Sequence, residues 1–550
     1  MRTLFVFVLT LCFCPLAAAQ HTGHRNAQAA AEPRATIVSG IGGVHHPVST
    51  TNPEAQTFFD QGLAYVFAFN HDEAIRSFKR ATQLDPRLAM AHWGVALALG
   101  PNINLEVDPA REKAAYDAVQ KANALAANAP ENERAYIAAL AKRYSNDPKA
   151  DLRQLDSDYK HAMGELVKAY PDDLDLATLY AESAMDLRPW KLWTADGKPA
   201  PGTEEIVAIL ESVLHRNPNH PGAIHYYIHT VEASPNPERA LAYAPKLGSL
   251  MPAAGHLVHM PAHIYARTGD YENAALSNLH AAAADEAYIK AGGLKGIYPL
   301  MYYSHNLHFL AIAYSMEGRF APAMQATKQL EANVSPHLKA MPMLEGFMTV
   351  RPLMLVRFNR WDDIEKLPPP DASLKGVTAV WHFARGLALA KKGDVMRATA
   401  EREAMLKTVK EIPADASFGL NPAHTVMSVA DDVLRAQLAT VKHDDKAALA
   451  LLRQATETED SLAYDEPPAW FLPVREMLGG ALLKNGAYAE AEQVFRADLR
   501  RNKRNGRSLF GLMQSLKAQR KDYAAELVRK EFETAWAAAD MKLAPHSLWE

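Results

Sequence analysis

Ten of the chain's 22 histidines fall between His215 and His308. Two strings concentrate the chemistry: His225-Tyr226-Tyr227-Ile228-His229-Thr230-Val231-Glu232 and His256-Leu257-Val258-His259-Met260-Pro261-Ala262-His263. On an α-helix His225, His229 and Glu232 stand at i, i+4 and i+7 and share one face. His259 and His263 repeat the i, i+4 step. Two imidazoles one turn apart are well placed to grip a transition metal. The helical metalloprotease motif also needs Glu directly after its first His; Tyr226 stands there, so this is a different arrangement. Both cysteines, Cys12 and Cys14, lie in the first 19 residues. Beyond them a metal site has only His, carboxylates, Met or Tyr to draw on.

The histidines also keep register. His225 and His259 are 34 residues apart, as are His229 and His263. The next interval is 49 residues and carries His259 to His308 and His256 to His305. The candidate metal ligands are therefore His225, His229, Glu232, His256, His259, His263, His305 and His308. Zinc, copper or iron suits such donors, and nickel and manganese stay open. Pro261 interrupts the second string. A helix starting near His259 tolerates it in the first turn, and His256 then falls in the entering loop; an uninterrupted helix would hold both. The 15 extra residues before His305 include Gly292-Gly293 and Ile297-Tyr298-Pro299. They predict a long loop over the site. His215, His220 and His280 read as surface residues, and His45-His46 as a further pair able to bind metal.

Helices must position these residues. From residue 53 onward apolar residues recur at helical spacing, and alternation of the kind that marks strands is nearly absent. Phe58, Gly62, Tyr65, Ala74, Phe78, Ala81 and Pro86 form a spaced set across a break at Asn70-His71. Related sets recur at Ala262, Tyr265, Gly269, Tyr271, Ala274 and Ala281; at Ala311, Tyr314, Gly318, Phe320 and Ala323; and at Leu478, Gly479, Gly486, Tyr488, Ala491 and Phe495. Breaks fall at 196–203, 367–371, 411–422 and 465–473. The pattern resembles the tetratricopeptide repeat (TPR) family, of 34-residue helix pairs.

That resemblance implies an all-α, right-handed superhelical solenoid of antiparallel helix pairs, some of them degenerate. It implies a concave groove that takes a peptide or protein partner, with first helices lining it. The histidine register then puts a His-rich segment, residues 220–310, in that groove. Three functions remain open: a binding scaffold organised by a divalent metal, a metal-dependent enzyme, and metal sequestration or delivery. A groove binding an anion or peptide through His and Tyr, or plain structural hydrogen bonding, competes with the metal reading.

A formal net charge of −4 gives no basic face for nucleic acid. Arg2, the apolar run from Leu4 to Phe13 and Ala17-Ala18-Ala19 predict a signal peptide over 1–19, hence export, periplasmic or secreted, with no membrane span. A flexible leader is expected over 20–52, the solenoid over 53–535 and a tail over 536–550.

Overall fold

The structure is a computed structural model that describes residues 35–292 and 297–549. The expected signal peptide and the first part of the leader lie outside the described residues. Helix follows helix along the chain, and the strands among the described residues make one two-residue hairpin, Ser417–Phe418 with Asn421–Pro422.

Local chemistry sets the helix ends. Asn52 accepts hydrogen bonds from the Glu54 and Ala55 amides to start the helix Pro53–Phe67. Asn70 caps His71–Leu84 in the same way, and Asp173 caps Leu174–Met185. Each supplies an acceptor to amides that the first turn leaves unpaired. Consecutive helices then pack side by side: Pro53–Phe67 on His71–Leu84, Lys375–Lys391 on Val395–Val409, Val474–Lys484 on Tyr488–Arg501. Short turns make such neighbours antiparallel. A Cβ at Gly62 would come within 2.6 Å of the Phe78 ring, so glycine is what lets these two helices close on that ring. The expected stack of helix pairs is the architecture observed, and the four expected breaks are loops.

Two apolar cores run through the stack. One gathers residues from Ile41 to Ile264, the other residues from Ala262 to Trp549. They meet on the helix Pro261–Thr268. The candidate site sits at this seam.

Four expectations change. Residues 35–52 are docked. The Val38 amide donates to Gln61 (2.8 Å), the Ser49 hydroxyl to Glu133 (2.7 Å), and Ile41 is buried. His46 donates from Nδ1 to Asp175 (2.9 Å), and Asp175 also meets His220 Nε2 at 3.1 Å. Hydrogen bonds to distant side chains hold this segment, so it has no helical stripe to betray it. His220, expected on the surface, is buried and accepts from the Ala223 amide. The tail docks too: Asp540 accepts from the Phe320 and Ala321 amides (2.7 and 2.8 Å), and Trp549 is buried with its ring N–H on Thr440.

The fourth change concerns the long loop expected before His305. Most of those residues extend helices instead, Tyr271–Gly292 and Ile297–Met316. The alanine-rich stretch 281–284 favours helix, and Pro299 sits in a first turn, where its missing N–H costs nothing. Among the described residues no helix is long and apolar enough to cross a membrane.

The extended pair is held by Asp285, which accepts from Tyr298 (2.9 Å) and Asn306 (2.7 Å). Gly255, at the start of the His256 helix, packs against this carboxylate: a Cβ there would stand 1.9 Å from Asp285 Oδ1. Gly255→Ala is therefore expected to push the two elements apart and cost roughly 1–3 kcal/mol. Urea denaturation would measure it, and an unchanged midpoint would count against this packing.

Candidate metal centre

Six histidines come from four helical elements. His225 and His229 stand on Pro221–Val231, His256 and His259 on Gly255–His259, His263 on Pro261–Thr268 and His305 on Ile297–Met316. The second string is thus helical on both sides of a break at Met260. Pro261 opens the second piece at its first position, where it is tolerated.

The rings fall into two groups, His225/His229/His256 and His259/His263/His305, each offering three ligand atoms within 4.8 Å of one another. In the first group His225 Nε2 faces His256 Nε2 at 3.1 Å. In the second, His259 Nε2 faces His263 Nε2 at 2.6 Å and His305 Nε2 at 3.0 Å. His229 Nε2 is buried with no hydrogen-bond partner. Two lone pairs aimed at each other repel unless a proton or a cation stands between them. A tetrahedral ion about 2.0–2.1 Å from each nitrogen would hold them roughly 3.3 Å apart.

Four of the six opposite ring nitrogens are spoken for, whereas His256 Nδ1 is buried without a hydrogen-bond partner. His225 Nδ1 donates to the Phe67 carbonyl (2.6 Å) and His229 Nδ1 to Glu232 (2.8 Å). His259 Nδ1 donates to Asn278 Oδ1 (2.7 Å), and Asn278 is held that way round because its amide donates to the Ala274 carbonyl (2.8 Å). His263 Nδ1 lies against the carboxylates of Glu232 and Glu466. A proton fixed on Nδ1 leaves the Nε2 lone pair free, the tautomer a metal needs.

Burial pushes His225, His256, His259 and His305 well below the ordinary histidine range, so these rings are neutral. His263 behaves oppositely. Burial opposes its charge, but Glu232 and then Glu466 outweigh it and raise it to about 10. Glu232 is held below the usual carboxylate range, chiefly by His263 and His229 against the cost of burial. Burial pushes Glu466 up.

Two candidate ligands take other places. Glu232 meets His229 and His263 at Nδ1, on the side away from the facing Nε2 atoms, so it orients two rings, one from each group. His308 lies apart from both groups, its ring against Phe347 and Phe471. Three residues along a helix is about 300°, so His308 points some 60° away from His305; the 49-residue offset matched positions without matching faces. The rings are also enclosed. Five of the six are buried and His305 nearly so, so they do not line an open groove.

Sequence spacing gave no access to several neighbours. Phe69 packs on His225 with ring centroids 4.5 Å apart, and also on His229 and His256. Phe309 does the same for the second group, 5.3 Å from His259 and His263. Glu466 arrives on the loop 461–473. Phe69 and Trp190, which packs on His229, both have positive φ (54° and 60°). The left-handed region costs an L-residue roughly 1–2 kcal/mol, and both spend it beside the first group. A third group that could hold a metal, His46/Asp173/Asp175, lies where residues 35–52 dock.

Residues 55–88 match the family model described as tetratricopeptide repeat. This segment is similar to a TPR repeat. It contains the aromatic–Gly–Tyr–Ala–Phe–Ala–Pro set read from the sequence. No curated protein matches the chain. Among solved structures, the human IFIT1 dimer with m7Gppp-AAAA is 13% identical, covering 89% of this chain and 92% of that one at a TM-score of 0.32. Yeast Tom70 is 12% identical, covering 88% and 97%, at a TM-score of 0.31. The Cut9–Hcn1 hetero-tetramer of APC/C is 12% identical, covering 90% and 75%, at 0.31.

The neutral buried rings set a pH dependence. His71 and His308 are each depressed to about 3 by burial, against about 6.5 when unfolded. Between those values the unfolded chain binds protons that the folded chain excludes. Stability is therefore full above pH 6.5 and falls as pH drops, by roughly 1–1.5 kcal/mol per unit for each such ring. Urea denaturation of the metal-free chain between pH 7 and 5 should show this slope, and His308→Gln should make it shallower.

Proposed function

We propose that this chain is a transition-metal-binding TPR protein whose centre takes two ions, one on His225/His229/His256 and one on His259/His263/His305. One observation carries the reading: four rings have Nδ1 committed to a protein acceptor or carboxylate while their Nε2 atoms converge. Each such Nδ1 contact turns an Nε2 atom toward its neighbours, an arrangement in which one cation can be shared by three rings. All-imidazole sets of three suit zinc or copper and also iron. Export, expected from residues 1–19, belongs to this reading, as does a peptide or protein partner elsewhere on the helical surface.

Of the roles open to such a centre, a metal-dependent enzyme has an observation in its favour. A cavity lies against Phe309 and Glu466, next to the second group. Sequestration or delivery fits less well, because the rings are fixed in a closed core where ions exchange slowly.

Metal analysis of the untagged full chain is the test. We expect close to two equivalents per chain after reconstitution with zinc or copper. His229→Ala together with His263→Ala should abolish loading, whereas His308→Ala should leave it intact. Glu232→Gln keeps the ligands but loosens two of them, and should weaken affinity by roughly 10–100-fold. No stoichiometric metal under any reconstitution, or full loading of the double variant, would sink the assignment.

A further inference from the structure

We propose that the cavity behind the loop 461–473 binds a small neutral phenol, held beside the His259/His263/His305 group. Its role as a substrate pocket rests on the metal reading above; its binding of a phenol does not.

The cavity has a volume of about 140 Å³ and is open on one side, close to the size of an apolar cavity that takes a single benzene ring. Its walls are mainly aromatic and aliphatic, with Tyr271, Phe309, Met316, Trp470 and Phe471 among them. Such surfaces favour a flat ring, by offset or edge-on packing. Phe309 has cavity on one side and the imidazoles of His259 and His263 on the other, 5.3 Å from each centroid. Glu466 likewise reaches from the cavity wall to His263. An occupant is thus one side chain away from the candidate centre.

The polar groups decide the occupant's charge. Both arginines on the wall are engaged elsewhere: Arg267 donates to the Glu232 and Ser234 carbonyls, and Arg501 pairs with Asp460. Neither is left to bind an anion. Glu459 is a neutral acid at pH 7, pushed up to about 8 mainly by burial, and the Asp465 carboxylate is taken up by the Leu420 amide (2.8 Å), so neither is left to attract a cation. The Tyr464 hydroxyl is buried and has no hydrogen-bond partner. A buried unpaired hydroxyl costs roughly 1–3 kcal/mol, and a hydroxyl on the ligand would satisfy it. A neutral aromatic ring bearing one hydroxyl meets all of these conditions.

Calorimetry on the full chain, metal-loaded and metal-free, tests this with 4-methylphenol as probe and 4-methylbenzoate as its charged counterpart. Metal content is measured on the same samples. Saturable binding of 4-methylphenol at one site is expected, with 4-methylbenzoate at least tenfold weaker. Ala469→Trp, on the half-exposed rim, should fill the cavity and weaken phenol binding at least tenfold with metal content unchanged. Tyr464→Phe should weaken it several-fold. Phenol binding by a chain that takes no metal would uphold the cavity and remove the metal reading. A metal-loaded chain that binds no phenol, binds the benzoate equally, or binds phenol unchanged in Ala469→Trp would overturn this proposal.

Discussion

One buried carboxylate ties the centre together. Glu232 is 1% exposed and lies between His229 of one histidine group and His263 of the other. Burying a carboxylate is costly unless it is paired and hydrogen-bonded. Here the cost is met because both oxygens face imidazole nitrogens and His263 is charged. The same contact joins the end of the helix Pro221–Val231 to the helix Pro261–Thr268, where the two apolar cores meet. Neither group of rings could keep its orientation if the other shifted. The rest of the solenoid can be understood as what holds this seam closed.

The seam is built with a rough symmetry. Each group of three rings has one phenylalanine packed on it, Phe69 for the first and Phe309 for the second. Each has a non-histidine acceptor fixing one ring, the Phe67 carbonyl for His225 and Asn278 for His259. The supports nevertheless come from unrelated elements. Phe69 projects from a tight turn at positive φ, while Phe309 lies mid-helix. Similar surroundings have thus been assembled by different backbones, which points to a demand for dry, rigid, neutral imidazoles rather than to a byproduct of repeat geometry.

Spacing made part of this legible. The 34-residue step from His225 to His259 and from His229 to His263 identified four of the six rings, because helical periodicity fixes which residues share a face. His256 and His305 were found by the 49-residue step, but that step also brought in His308. Equal offsets conserve distance along the chain only when the intervening helices keep their length, and here Tyr271–Gly292 runs on past the repeat. Glu466 could not be found this way. It is held on a loop more than two hundred residues from Glu232, and a proline-rich loop has no period to read. The docked segment 35–52 escaped for the same reason: its partners, Gln61, Glu133 and Asp175, are distant side chains. The stack of helix pairs, by contrast, follows from local contacts and was readable almost throughout.

Enclosure changes how a stack of helix pairs would use these histidines. Side chains lining an open groove can take a peptide directly; rings packed between two cores cannot. A partner therefore has no direct access to the imidazoles, and its binding would have to act through whatever covers them. The cover is identifiable. Glu466 and Tyr464 sit on the loop 461–473, which walls the cavity beside the second group, and Tyr464 also lines the smaller recess beside His229 and Glu232. This loop reaches the site from the far half of the chain through Glu466 on His263. Any change in the stacking of the last helix pairs would move it, and with it one of the two carboxylates on His263. The histidine centre thus meets the later helix pairs through this loop as well as through the helix Ile297–Met316, which packs into the second core, although its ligands come from one segment.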